Sequence, residues 1–160
     1  MPVQCTFRLN NEQTSTLWCS GFGRVAAYSG QLNGRDNPRA IDLKDIGPIP
    51  PGKYYLLDRQ SGGRMGWFYD WLAQNNIGTT DHTKWFTLWN ERTGDMTYVN
   101  GVKRGEFRLH PEGPRRLSEG CITVLSLEEF DRLERHIRSR PPDVPVPGTT
   151  YRAYGTVEVQ

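Results

Sequence analysis

The run Ile46-Gly47-Pro48-Ile49-Pro50-Pro51-Gly52 constrains the chain more than any other. Pro48, Pro50 and Pro51 forbid helix and enforce an extended approach, Gly52 turns, and Tyr54 to Leu57 then make a strand. Proline at that density suits a sheet edge or a corner rather than a central strand. The residues before it read the same way: "CTFRL", "TLWCS" and "RVAAY" are short strands separated by turn chemistry, followed by a Gly/Asn/Asp/Pro-rich excursion from Ser29 to about Pro38. Strand is favoured over helix throughout this third of the chain.

Two helices are predicted. "WFYDWLAQNN" sets Trp67, Phe68, Trp71 and Leu72 on one face and ends near Asn76 and Gly78. "SLEEFDRLERHIRSRPP" is the stronger pattern: Ser126 and Glu129 have capping-box spacing, Leu127, Phe130, Leu133 and Ile137 form an apolar stripe, and Pro141 stops the helix. Between them "KWFTLWN" and "MTYVNGV" resemble strands with "ERTGD" as a hairpin turn, "GEFRLH" and "GCITVL" flank a loop, and "TYRAYGTVEV" supplies one or two closing strands. A mainly β fold follows, a curved sandwich or barrel with two short helices. At 160 residues with 36% hydrophobic side chains, one domain spanning 1–160 is the expectation, with a core that needs no metal or cross-link.

Charge excludes some functions. Against 20 Lys+Arg stand 18 Asp+Glu, so no field of one sign points to nucleic acid or a membrane surface. No stretch approaches the roughly 20 apolar residues that cross a bilayer, and "MPVQCTFRLNNEQ" lacks the basic start and apolar run of a signal peptide. The expectation is a chain made in the cytoplasm that inserts in no membrane.

The chain has three cysteines. Cys5 and Cys19 either pair, closing a loop worth on the order of 3 kcal/mol in the chain-entropy model, or are two small buried side chains in neighbouring strands. Cys121 is left over as a thiol. It follows Ser118, Glu119 and Gly120, where a tight glycine turn feeding a strand leaves backbone N–H groups free to face a carbonyl. Pro111, Glu112, Gly113, Pro114, Arg115 and Arg116 continue neither helix nor ladder, so the chain leaves one strand after His110, loops, and returns at Cys121. An imidazole beside a thiol supplies the base that makes a thiolate near neutral pH. For a lone Cys and a lone His the commoner reading is a core cysteine and a hydrogen-bonded strand-end histidine.

What lifts the catalytic reading is that "HPEGPRRLSEGCITV" resembles the signature of YkuD-type L,D-transpeptidases, in which a histidine is followed by Ser-His-Gly-Cys-Ile/Val-Arg. Ser118, Gly120, Cys121 and Ile122 match. With "CSGFGRVAAYSG" and "IGPIPPGKYYLLDRQSGG", the chain is similar over roughly residues 17–130 to the type VI secretion L,D-transpeptidase effectors. Glu119 replaces the usual histidine, Thr123 stands where many transpeptidases carry arginine, and the His110-to-Cys121 spacing is shorter than usual. The contact that arginine makes is then absent or supplied by Arg108, Arg115 or Arg116.

The resemblance implies attack by Cys121 on the meso-diaminopimelate carbonyl of a peptidoglycan tetrapeptide stem, with release of D-alanine and formation of a thioester. Water then gives L,D-carboxypeptidase activity, and a D-amino acid or another stem's amine gives exchange or cross-linking. His110 acts as base and acid, amides near Gly120 and Cys121 hold the oxyanion, and Ser118 orients the loop or the histidine. Arginines suit a substrate with several carboxylates. Arg108, alternating with Phe107 and Leu109, shares a face with His110, whereas Arg115 and Arg116 are equally well a solvated loop tip. Glu119 and the "DRQSGG" loop, with Ser61 and Gly62, lie near the site by the same resemblance. It also implies delivery to the periplasm of a target bacterium, a secretion-machine component and a cognate immunity protein as partners, and no cofactor.

Other features are weaker. His136 lies in "RLERHIRSR", where solvent exposure on a charged helix is the expectation, and His82 follows Asp81 in a polar loop. A zinc site from His82, His110 and Cys121 lacks any paired-ligand spacing. Trp67, Phe68, Tyr69, Trp71, Trp85, Phe86 and Trp89 could line a glycan groove, but core packing is the favoured reading for most of them. Two rivals share the residues: a cysteine endopeptidase or amidase cutting another bond of the stem, and a noncatalytic wall-binding module in which Cys121 is structural.

Overall fold

A computed structural model describes residues 2–58, 84–113 and 120–160. The expected short strands close into an eight-stranded barrel. Its staves are β1 (Val3–Phe7), β2 (Ser15–Cys19), β3 (Gly23–Ser29), β4 (Gly52–Asp58), β5 (Phe86–Asn90), β8 (Arg108–Pro111), β9 (Ile122–Val124) and β12 (Gly155–Val159). Around the barrel the order is β1-β12-β4-β5-β8-β9-β3-β2. Of the two architectures the sequence allows, the barrel is the one that leaves no free sheet edge. Strict alternation builds the interior: in β2, Ser15, Leu17 and Cys19 are buried while Thr16 and Trp18 point to solvent. Phe7, Leu17, Val25, Leu56, Phe86, Leu109, Ile122 and Val157 meet in one apolar core.

Two neighbouring pairs are parallel, β1 with β12 and β8 with β9; the rest are antiparallel. A parallel pair cannot be joined by a tight hairpin, which is why the chain needs a long connection between Pro111 and Ile122.

The proposed hairpin around "ERTGD" is corrected. That run makes a turn closed by an Asn90–Gly94 bridge, but the following strand β6 (Met96–Val99) pairs with β7 (Val102–Gly105) rather than with β5. Asn100 and Gly101, both at positive φ, form the two-residue turn between them. Asn-Gly is the commonest two-residue hairpin signal, and it lies inside the stretch that reads as one strand. The closing strands are β12 and a short pair, β10 (Val144–Pro145) with β11 (Arg152–Ala153).

Helix α1 (Leu127–Ile137) forms as predicted, with the Ser126 hydroxyl accepting from Glu129 N at 3.2 Å. Phe130, Leu133 and Ile137 enter the core, but Leu127, at the first helical position, faces solvent. The helix packs against β8 and β9. Arg138 at its end fastens it to the barrel, donating to Asp58 and Tyr154 and lying over the Phe86 ring. His136 is corrected: it is half-buried, its Nε2 lies 2.9 Å from the Ser20 carbonyl oxygen, and its ring packs on Phe22. The predicted helix at 67–76 and His82 lie outside the described residues. Among the described residues no helix is long and apolar enough to cross a membrane.

The alternative left open for Cys5 and Cys19 is decided by register. They sit directly opposite in the β1–β2 ladder and form a disulfide. Closing a loop of sequence separation 14 is worth about 3 kcal/mol, so the Cys5→Ala/Cys19→Ala pair is expected to lower Tm by roughly 6–12 °C for a chain of this size. Calorimetry checks this, and an unchanged Tm would show that the barrel needs no cross-link.

The excursion after β3 holds a buried acid. Asp36 accepts from Ser29 N at 2.8 Å, while its own N–H donates to the Ser29 carbonyl. Burial raises its carboxyl from 3.8 to about 7, against the opposing pull of the Ser29 hydrogen bond and the Arg35 charge. The folded state therefore holds a proton that the unfolded chain has already given up, and stability falls as pH rises from about 4 to 7, by at most ~4 kcal/mol. An Asp36→Asn substitution replaces the carboxyl by a neutral amide that can keep the Ser29 contact, and asparagine tolerates the positive φ of 52° at this position. That variant is expected to lose this decline, checked by Tm against pH from 4 to 8.

Candidate active site

The β8–β9 ladder pairs Leu109 with Ile122, His110 with Thr123 and Pro111 with Val124. Leu109, Ile122 and Val124 point into the apolar core. Period-two alternation sends Arg108 and His110, and on the next strand Thr123, to the opposite face. His110 thus stands opposite Thr123, and Cys121 lies in the bend just before β9, two residues ahead of Thr123. Both are buried, Cys121 at 4% exposure and His110 at 0%. The parallel pairing of β8 and β9 brings their two segments side by side, although eleven residues separate them in the chain.

Two contacts fix the imidazole. Its Nδ1 lies 2.8 Å from the Pro111 carbonyl oxygen, an acceptor only, so Nδ1 carries the proton and Nε2 is left as the basic nitrogen. The ring stacks on Trp85, centroids 4.4 Å apart and planes 18° from parallel. Trp85 is fully buried and packs in the core, as do Phe86 and the neighbouring Leu88. Core packing is what the sequence favours for these aromatics, but it holds no signal that Trp85 also seats the histidine. Trp89 is half-buried and meets Tyr151 edge to face.

Gly120 precedes the cysteine at φ 103°, a conformation L side chains rarely adopt. A Cβ there would come within 2.6 Å of Arg104 Nη2 and 2.8 Å of Phe107 Cε1. Glycine is required on both counts, and the turn it makes leads the chain into β9 at Cys121.

Arg108 shares the His110 face as expected, but its guanidinium is fully buried, pairing with Asp95 at 3.0 Å and donating to the Phe107 carbonyl at 2.9 Å. The arginine the fold sets against the Gly120 turn is Arg104, on β7, which sequence reasoning passes over. Only the unrecognised Asn-Gly hairpin, which folds β7 back, would have pointed to it. Ser118, Glu119, Arg115, Arg116, Ser61 and Gly62 lie outside the described residues. Among the described residues no group of three His, Cys, Asp or Glu side chains is placed to hold a metal ion.

A thiol in the bend before β9, an imidazole on the neighbouring strand with its Nδ1 held by Pro111, and a glycine turn ahead of the thiol are residue types that acyl transfer through a cysteine uses. A family model described as the Tlde1 domain matches residues 23–149. No curated protein and no solved structure matches the chain.

Proposed function

The chain belongs to the Tlde1 domain family, type VI secretion effectors of the L,D-transpeptidase type, and from that premise we propose that Cys121 and His110 carry out acyl transfer on peptidoglycan tetrapeptide stems. The observation that carries this reading is the parallel β8–β9 pairing, which sets His110 opposite Thr123 with Cys121 in the bend that leads into the same ladder, and with Nδ1 of the imidazole committed to Pro111.

In this mechanism His110 Nε2 takes the thiol proton and the Cys121 sulfur attacks the meso-diaminopimelate carbonyl. Backbone amides at Gly120 and Cys121 stabilise the oxyanion, with Ser118 orienting the loop. Collapse breaks the bond to D-alanine, whose amine receives the proton from His110, and leaves a thioester. Water attacking the thioester restores the thiol and gives carboxypeptidase activity; an incoming D-amino acid amine gives exchange. By the family resemblance the stem's carboxylates would be met by Arg108, Arg115 or Arg116, with Glu119, Ser61 and Gly62 as further substrate-binding residues.

The Cys5–Cys19 disulfide supports action in an oxidising compartment such as the periplasm of a target cell. A toxin of this kind calls for an immunity protein that covers the site in the producing cell, and for a component of the secretion machine that carries it.

The test is mass spectrometry of purified tetrapeptide muropeptides incubated with the protein, with and without added D-amino acid. Loss of one alanine is the expected result, and its replacement by the added amino acid identifies exchange. Separation of glycan from peptide, with the terminal alanine retained, would instead assign an amidase.

A further inference from the structure

Arg104 lies in the small β6–β7 hairpin outside the barrel, yet it is only 3% exposed. Its guanidinium donates to three backbone carbonyls of the connection that follows β3: Ile41, Gly47 at 3.0 Å and Pro48 at 3.2 Å. Carbonyls bind a guanidinium through their dipoles and carry no net charge, so these bonds hold the group in place while leaving its positive charge intact. The guanidinium also lies over the Phe107 ring, 5.6 Å from its centroid, and against the Gly120 turn.

Burial works against the charged form of Arg104, and the ionised forms of Tyr54, Asp45, Cys121 and Asp42 work for it. Cys121 therefore lies within electrostatic reach of the guanidinium, and the coupling is reciprocal: a sulfur anion that favours the cation is favoured by it. The other groups that act on Arg104 come from separate elements, Tyr54 from β4 and Asp42 and Asp45 from the connection after β3, while β8, beside the strand that Cys121 leads into, carries His110 and the Arg108–Asp95 ion pair.

We propose that Arg104 is a positioning residue for the Cys121 reaction, anchoring the Gly120 turn and supplying the fixed positive charge that holds the sulfur as a thiolate. This rests on the reading of Cys121 as nucleophile. It divides the activation between two groups: His110 moves the proton, and Arg104, whose charge does not change during turnover, stabilises the anion.

The experiment measures the pH dependence of Cys121 alkylation by iodoacetamide on the whole protein, with D-alanine release followed in parallel. Cys5 and Cys19 are tied in their disulfide, so Cys121 reports alone. In the wild type the thiol is expected to titrate at least ~1 pH unit below the usual value of about 8.5. Arg104→Gln is expected to raise the midpoint by about 1 unit and to slow alkylation at pH 7 about tenfold, while Arg104→Lys keeps the wild-type midpoint. His110→Gln, with Arg104 intact, is expected to keep most of the depression. A wild-type profile in Arg104→Gln would overturn the proposal. If that variant does not fold, His110→Gln decides: a midpoint back at about 8.5 overturns it as well. Absence of D-alanine release from a wild type with a depressed thiol midpoint would count against the peptidoglycan reading and not against Arg104. Release accompanied by an unshifted Arg104→Gln profile would count against Arg104 alone.

Discussion

Cys121→Ala is expected to reduce D-alanine release from tetrapeptide muropeptides to background, a loss of at least ~10⁴-fold, with the barrel intact. Activity and stability separate at this position because the substitution is small. Cys121 is buried at 4% exposure in the bend before β9, and alanine keeps a small apolar side chain there. Removing one sulfur atom there costs about 1 kcal/mol and moves Tm by a few degrees. The check is paired: muropeptide mass spectrometry for the reaction, and thermal unfolding by circular dichroism for the fold. A folded variant that still releases D-alanine would refute the nucleophile assignment. His110→Ala serves as the companion, since loss of the base leaves the thiol in place and lowers the rate by roughly 10²–10⁴-fold.

Gly120→Ala should be nearly as damaging to the reaction, for a geometric reason. At φ 103° an L side chain is strained, and the added methyl would press on Arg104 Nη2 at 2.6 Å and on the Phe107 ring at 2.8 Å. The turn has to shift, and it carries both the sulfur and the amides that would face the oxyanion. A displacement of about 1 Å in such a group is enough to cost ~10²-fold in rate. The expected outcome is a loss of D-alanine release of at least that size, with Cys121 still alkylated by iodoacetamide in the folded variant. Full activity in Gly120→Ala would show that the turn tolerates a side chain and that its amides play no part.

Much of the scaffold is legible in the sequence because its signals are local. The turn-bounded run "TLWCS" and the run from Tyr54 to Leu57 predict β2 and β4 within a residue or two, and the Ser126/Glu129 spacing predicts where α1 starts. The misreadings are of three kinds. At Asn100-Gly101 a turn signal sits inside an apolar run and is absorbed into the strand. At Leu127 the helical stripe extends one position too far, to a residue whose face the barrel does not cover. His136 fails for another reason: a charged helix surface says nothing about a carbonyl at Ser20, brought to it from 116 positions away in the chain.

The site divides along the same line. His110, Gly120 and Cys121 stand in one motif, and it is the resemblance of that motif to the transpeptidase signature that proposes a thiol, a base and a glycine turn. Strand direction is not contained in that motif. Only the closure of the barrel makes β8 and β9 parallel, and the register of that pair sets His110 opposite Thr123, two residues after Cys121. Trp85 behind His110 and Arg104 behind Gly120 come from other parts of the chain. Their placement depends on long-range packing, which leaves no periodicity or spacing in the chain to be read. Local chemistry is written in consecutive residues, whereas the field and the orientation that activate it belong to neighbours that meet only when the barrel closes.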